Sequence, residues 1–424
     1  MNAPHNRSPR SPSGSASAAK PFPWFGLVIL SGAIFVCVTS EFLPTGLLPQ
    51  LAEGLAVTES QVGLLVTVYA GTVVVSAPIL TTLTRRFDRK TLVIVVLTTF
   101  ALTNVLVALA PNFAVVVVAR MLGGLAHGLF WAVVGAYSGY LVPREQLARA
   151  VAITSAGATT AFVLGVPVGT ALGTALGWRM AFVVMAVTIV VLTVLVVFFL
   201  PAVKHGVELR TGEIPLPARK DKSIPGVVLL CAIVAVIMIG QNLFYTYIVP
   251  FYTGVSGFAE SSVSVLLFVY GGAGAVGLIL VGIVGARYPR ASLAGAFAIV
   301  AIAVTVIGLV PEQRVIVVVA LIVWGIAFGG GPALLQTRML QTASVRVRDQ
   351  ASAWFTVSFN VGIGGGAFIG GQLYDTVGLE TLPFFEASIV AAGVVLIVAS
   401  DRVISRRRRA RVEPQTSEIP TIPT

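Results

Sequence analysis

The chain carries 424 residues, 56% of them hydrophobic and 11% charged, with a formal net charge of +11. Ordinary soluble domains hold about 25% charged residues, so this composition excludes a domain folded in water, and with it a soluble enzyme or a secreted adhesin. The basic excess does not mark nucleic-acid binding, because Lys and Arg fall in short breaks between apolar segments and in the tails, where they orient a polytopic membrane protein.

Residues 1–22, rich in Ser, Pro and Ala with Arg7, Arg10 and Lys20, are expected to form a disordered cytoplasmic tail. The apolar stretch that follows is too long for a signal-peptide core and is succeeded by many others, so it is a first membrane helix. Twelve spans are expected, at 23–49, 60–83, 90–110, 113–141, 147–174, 179–200, 224–252, 261–285, 291–310, 314–340, 348–373 and 381–400. Each is long enough to cross a hydrocarbon core of about 30 Å. The fold class is therefore an all-α integral membrane protein. An N-terminal six-helix bundle at 23–201 and a C-terminal one at 224–400 are joined by a cytoplasmic linker at 202–223, and a basic, disordered cytoplasmic tail follows at 401–424.

An even number of spans puts both termini on one side, and the charges choose that side. The links 84–90, 142–149, 201–223, 286–290 and 341–347 and the tails hold nearly all the Lys and Arg, so both termini are expected in the cytoplasm. The run Arg406–Arg409 with Arg411 then marks the inner face and touches anionic membrane lipid. The halves are weakly alike: each has a second span followed by a basic link, TRRFDRK at 84–90 and ARYPR at 286–290, and a glycine-rich fifth span, at 157–177 and 362–371. Such duplication suits an alternating-access transporter, in which two bundles rock about a site between them.

Within the first span, FVCVTSEFLPTGLLPQ at 35–50 places Glu41 in an apolar run. An acid there costs several kcal/mol unless it is neutral, paired or facing a wet cavity, so its default reading is functional. Pro44 loosens the helix ladder just beyond it. In the fourth span Arg120 stays charged and needs a polar partner or a wet surrounding. His127, two turns on and on nearly the same face, is either a proton carrier or gate, or a neutral histidine that bonds across the bundle or contacts substrate. Phe130 and Trp131 either line the cavity or pack against lipid.

The second half offers polar and aromatic groups for an uncharged solute: Gln241, Asn242, Tyr245 and Tyr247 in the seventh span, Gln336 and Arg338 in the tenth, and Trp354 and Asn360 in the eleventh. Structural glue between helices is the competing role for each of them. Asp375 reads as a helix-end or solvated acid at the outer rim. Cys37 and Cys231 have no converging ligands, so no metal is expected. The glycine-rich stretches 271–277 and 362–371 lack the Lys and Ser or Thr of a phosphate loop. No cofactor is expected, and the proton is the coupling ion.

The segments TSEFLPTGLLPQ at 39–50, ARMLGGLAHGLFWAV at 119–133 and FVLGVPVGTALGTALGWRMAF at 162–182, with the basic second link, resemble the major facilitator superfamily. Within it the chain most resembles the twelve-span drug:proton antiporter branch, near the bacterial sugar-efflux, arabinose-efflux and chloramphenicol exporters. The resemblance implies a multi-pass protein of the bacterial inner membrane. It gives Arg120 the place of a fourth-span arginine that assists proton coupling, the competing role being a structural arginine that snorkels or bonds to helix ends near the outer membrane face. It also makes Gly165, Pro167, Gly169 and Gly173 a signature that packs the fifth span against the eighth. The second link departs from the family pattern G-x-L-A-D-R-x-G-R-K: Thr84 stands where the acid would lie and Asp88 where the second glycine would lie. Arg85, Arg86, Arg89 and Lys90 keep the basic character. A conformational latch and a solvated basic loop that fixes topology are equal readings of it.

The function expected from this is a proton-coupled antiporter that exports sugars or amphenicol-like, amphipathic drugs by alternating access, working as a monomer. The alternative is a proton symporter or facilitator importing a small nutrient.

Overall fold

The computed structural model describes residues 22–84, 87–142, 146–201, 221–344 and 347–412. The expectations for the N-terminal tail, most of the linker, Arg85, Arg86 and the end of the C-terminal tail lie outside these residues. Among the described residues the chain is helical throughout. The first half comprises α1 (Trp24–Gly46), α2 (Glu59–Leu83), α3 (Arg89–Ala108), α4 (Phe113–Leu141), α5 in three continuous pieces (Leu147–Thr160, a π turn Ala161–Gly165, Val166–Leu176) and α6 (Trp178–Phe199). In the second half lie α7 (Ile224–Tyr245, continued by Ile248–Pro250 and a π turn Phe251–Val255), α8 (Glu260–Arg287), α9 (Pro289–Leu309), α10 (Arg314–Gly329 and Gly331–Thr342), α11 (Arg348–Val377) and α12 (Leu382–Val412).

Several starts are written in the sequence. Thr58 and Gln61 form a reciprocal capping box at α2, Asp88 accepts from the Thr91 amide at α3, and Asn112 accepts from the Val115 amide at α4. Eleven of the twelve segments are both long and apolar enough to cross a membrane, which makes the chain a multi-pass membrane protein. The exception is α11, long at 30 residues but rich in Gly, with Ser, Thr, Asn and Gln among its apolar residues. Its neighbours explain this, because it is packed between α7 and α2, where small polar residues permit close contact. A second departure is at the end of α12: residues 401–412, expected as disordered tail, continue the helix to Val412. Nothing before Pro414 breaks it, and Arg and Ala are good helix formers.

The two halves repeat one packing scheme. In the first, α1 pairs with α5, α2 with α4 and α3 with α6; in the second, α7 pairs with α11, α8 with α10 and α9 with α12. The turn between α5 and α6 and the turn between α11 and α12 each rest on a glycine at positive φ, Gly177 at 87° and Gly378 at 96°. Each first helix also breaks before a proline, in TGLLP at 45–49 and TYIVP at 246–250.

The halves meet along α2 with α11 and α5 with α8. Among the described residues, side-chain bonds between them lie toward the end of the bundle away from the termini. Tyr374 donates its hydroxyl to Glu59 Oε2 at 2.7 Å, Ser60 Oγ donates to Asp375 Oδ2 at 2.7 Å, and deeper in, Thr67 Oγ1 donates to the Gly364 carbonyl at 3.0 Å. Asp375 is thus an exposed acid near a helix end that also ties the two halves. That end is closed.

Glycine contacts grade how tightly these pairs are held. A Cβ on Gly277 of α8 would lie 1.9 Å from the Ile326 carbonyl oxygen of α10, whereas one on Gly173 would meet only the tip of Leu47, at 2.2 Å. Backbone cannot yield as a leucine tip does. We expect Gly277→Ala to cost about 3 kcal/mol and Gly173→Ala about 1 kcal/mol, read as thermal unfolding midpoints in detergent.

Candidate functional site

Every residue of α1 from Val36 to Gly46 is buried, so this stretch is a helix inside a helical bundle. Pro44 within it has no N–H to give the Ser40 carbonyl four residues back, and an unsatisfied carbonyl at that depth is costly. Arg120 of α4 fills the gap. Its Nη1 donates to the Ser40 carbonyl at 2.8 Å and its Nη2 to the Glu41 carbonyl at 2.9 Å, while the guanidinium lies 4.1 Å from the centre of the Tyr69 ring. Asn104 of α3 closes the same knot, donating from Nδ2 to Ser40 Oγ at 2.9 Å. The arginine is therefore spent on backbone and an aromatic face, and it forms no ion pair with the Glu41 carboxylate.

Glu41 itself is 5% exposed. Its Oε2 stands 3.7 Å from His127 Nε2, beyond hydrogen-bond distance, and its carboxylate accepts no hydrogen bond from the described residues. His127 is buried and held at both nitrogens. Trp131 Nε1 donates to Nε2 at 2.7 Å, and Nδ1 lies 2.8 Å from the Tyr69 hydroxyl. An indole N–H only donates, so Nε2 presents its lone pair to Trp131 and the ring proton sits on Nδ1, facing Tyr69. In this arrangement the histidine is neutral, and it can take a second proton only if Trp131 turns away. Phe130 is fully buried against His127, Phe100 and Trp131, as packing in the core and not against lipid.

The second half answers with an aromatic cluster. Gln241 donates from Nε2 to the Tyr270 hydroxyl at 3.1 Å and accepts at Oε1 from Trp324 Nε1 at 3.0 Å. Tyr245 lies against Tyr270 and Trp324, and its ring is 6.3 Å from Phe42, the residue after Glu41. The two candidate groups thus touch through Phe42 and Tyr245. Counting back from the shared break, Glu41 is four residues before Thr45 and Asn242 four before Thr246, so acid and amide occupy matching places in the two halves. Asn242 is turned onto its own helix, donating to the Met238 carbonyl at 2.9 Å.

Other residues singled out in the sequence do not join this centre. Gln336 is exposed and Trp354 is 38% exposed; Asn360 is buried and donates to the Thr356 carbonyl of its own helix. Tyr247 donates to the Ala367 carbonyl of α11, and Arg338 pairs with Asp401 at 2.5 Å near the end of the bundle that carries the termini. In the second link Asp88 serves as the α3 cap and Lys90 donates to the Val197 carbonyl at 2.8 Å, while Arg89 opens α3.

The partner expected for the fifth-span glycines is corrected. Cβ atoms on Gly165, Gly169 and Gly173 would strike Thr39, Leu43 and Leu47, so these glycines are pressed on α1 and not on α8; Pro167, two residues from Gly165 and Gly169, is buried off that face. The eighth span reaches α5 through its own glycine, Gly271, against the backbone of Phe162 and Val163. A cavity of about 440 Å³ between α2 and α4, lined by Val68, Val75, Ile79, Met121 and Leu125, includes none of the candidate site residues. Tyr69, Asn104, Tyr270 and Trp324 were not legible as site residues, since only interhelical contact brings them in.

The family model described as Major Facilitator Superfamily matches this chain over residues 30–363 and again over 230–421. Among solved structures, a bacterial homologue of the human lysosomal transporter Spinster in an inward-facing, unoccupied conformation superposes with a TM-score of 0.71 at 16% identity, covering 92% of this chain and 98% of that one. Its inward-facing, occupied form gives 0.71 at 14% identity, with the same coverage. The human organic anion transporter MFSD10 (TETRAN) gives 0.68 at 15% identity, covering 89% of this chain and all of that one. These likenesses show the fold, and together with the family match they place the protein: the chain belongs to the major facilitator superfamily of membrane transporters for small substrates.

Proposed function

We propose that this transporter is a proton-coupled antiporter of the bacterial inner membrane that exports small, uncharged or amphipathic molecules, with Glu41 as its proton site. The observation that carries the reading is a buried carboxyl group that accepts no hydrogen bond from the described residues and whose neighbouring cation, Arg120, bonds backbone carbonyls instead. Arg120 is committed to the Ser40 and Glu41 carbonyls and the Nε2 lone pair of His127 to Trp131. Burying a lone charge is expensive and a proton removes that expense, so a protonated Glu41 tolerates the surroundings seen here. Opening toward the cytoplasm lets the acid release its proton; opening the other way reloads it. Arg120 holds the backbone beneath Glu41, and His127 gates the proton through its bond to Trp131.

Substrate recognition belongs to the seam between the halves, where Phe42 meets Tyr245 and the Gln241, Tyr270 and Trp324 cluster stands behind it. An amide among aromatic faces suits a sugar or an amphenicol-like ring system, bound by stacking and neutral hydrogen bonds. Pumping requires proton and substrate to weaken each other's binding, a reciprocal coupling of about 1–3 kcal/mol. The test uses purified protein in proteoliposomes. A thermal-shift panel of sugars, amphenicols, nucleosides and lipophilic cations selects a ligand, and its movement is followed under imposed pH gradients of either sign. Counter-movement of ligand against protons is expected. Movement in the same direction as protons, or indifference to the gradient, overturns the reading.

A further inference from the structure

A second acid lies in the apolar interior, in the other half. Glu386 of α12 is 0% exposed, and neither carboxyl oxygen has a hydrogen-bond partner. Its backbone is pressed against Gly240 of α7, where an added Cβ would stand 3.3 Å from the Glu386 carbonyl. Next to it in α7, the Gln241 amide is already committed to Tyr270 and Trp324 and offers Glu386 nothing.

The segment that ends α7 carries orphaned hydroxyl groups. Tyr252, fully buried on the π turn that ends α7, lies within electrostatic reach of Glu386, and its hydroxyl has no partner. Ser256, four residues on, is buried with its hydroxyl equally unpartnered. Tyr270 of α8 is within reach of the same carboxyl. Of the other acids at this end, Glu59 of α2 is half-buried and bonded to Tyr374, while Glu260 of α8, Glu312 before α10, Asp375 of α11 and Glu380 of the turn before α12 are exposed. Arg314 of α10 is exposed there too and donates to the Gly257 carbonyl. The charged residue of α9, Arg290, belongs to its opposite end. Among the described residues no cation faces Glu386.

We propose that Glu386 is a second proton-binding site of this transporter, one that holds its proton while the end of the bundle away from the termini is closed and exchanges it with water when that end opens. An ionised carboxylate enclosed without a cation or a donor is not tolerated, so the enclosed form is the acid. An acid that contributes no bond is also a poor structural choice, since an apolar side chain of the same volume would pack there without cost. The π turn carrying Tyr252 supplies the means of exchange. A π turn is a local departure from the regular helix, and a rearrangement of it brings the Tyr252 hydroxyl to the carboxylate once the proton has left. One proton-binding acid then lies in each half.

The test is independent of Glu41, because it is carried out in the Glu41→Gln background. Infrared difference spectra between acid and alkaline pH are recorded on purified, reconstituted protein with ¹³C-labelled glutamate. A titrating carbonyl band of a protonated glutamic acid is expected to persist in Glu41→Gln, to vanish in Glu41→Gln/Glu386→Gln, and to titrate at higher pH, without vanishing, in Glu41→Gln/Tyr252→Phe, which lacks the hydroxyl that receives the ionised carboxylate. The last variant keeps the carboxyl group and serves if the Glu386 replacement does not fold. Superimposable spectra with and without Glu386, or a band whose titration Tyr252→Phe leaves unmoved, overturn the proposal.

Discussion

Under an imposed pH gradient in proteoliposomes, Glu41→Gln is expected to stop net substrate movement while substrate-for-substrate exchange across the membrane continues. Glutamine has the shape of the protonated acid and cannot lose the proton, so the variant passes between its two forms as the neutral carrier does. What it lacks is the state in which an ionised Glu41 forbids closure around an empty site. A coupling of about 1–3 kcal/mol corresponds to a factor of roughly 5–150 in affinity between proton-loaded and proton-free protein, and this factor is expected to fall to one. Substrate affinity of Glu41→Gln should accordingly be the same at acid and alkaline pH. Net transport that still follows the gradient would move the proton site elsewhere, and Glu386 would be the place to look.

The architecture was legible in the sequence because apolar runs of membrane length are hard to mistake, and basic links divide them six and six. Where the reading departed from the structure, packing had overruled composition. The α11 segment is less apolar than its neighbours because α2 and α7 cover it. The glycines of α5 announced close approach correctly, yet a glycine pattern does not name the helix that approaches. Thr39, Leu43 and Leu47 of α1 do that, and their spacing of four matches the glycine spacing of four at 165, 169 and 173. That shared period was available in the sequence.

The candidate site was legible in part, for a similar reason. Glu41 is conspicuous by cost alone: an acid inside an apolar run. Glu386 meets the same criterion, but four residues into α12 it reads as a rim position, and only the packing of α7 and α12 shows it enclosed. Tyr69 and Asn104 bear no mark in sequence, because an aromatic or an amide inside a membrane helix is common. The role of Arg120 was half visible. A proline four residues after Ser40 predicts a carbonyl in need of a donor, and an arginine in the membrane predicts a donor in need of a carbonyl. The two were not paired in the sequence because they stand 80 residues apart.

That pairing leads to a double-mutant cycle. Arg120→Gln is expected to destabilise the protein by about 2–4 kcal/mol, since it removes two charge-assisted bonds and leaves the Ser40 carbonyl unsatisfied at depth. Pro44→Ala returns an N–H to that carbonyl, so Arg120→Gln in the Pro44→Ala background should cost about 1 kcal/mol less than in the wild type. Additive effects, read as thermal unfolding in detergent, would mean that Arg120 does not serve the carbonyl that Pro44 frees. The double variant also separates structure from coupling. If Arg120 only repairs the helix, restoring the N–H restores proton-driven transport along with stability. We expect stability to recover and transport to stay uncoupled, because alanine at 44 satisfies Ser40 but replaces neither the bond to the Glu41 carbonyl nor the charge held against Tyr69. Those two contacts fix where the Glu41 carboxyl stands and how its charge is felt, and no backbone N–H can take their place.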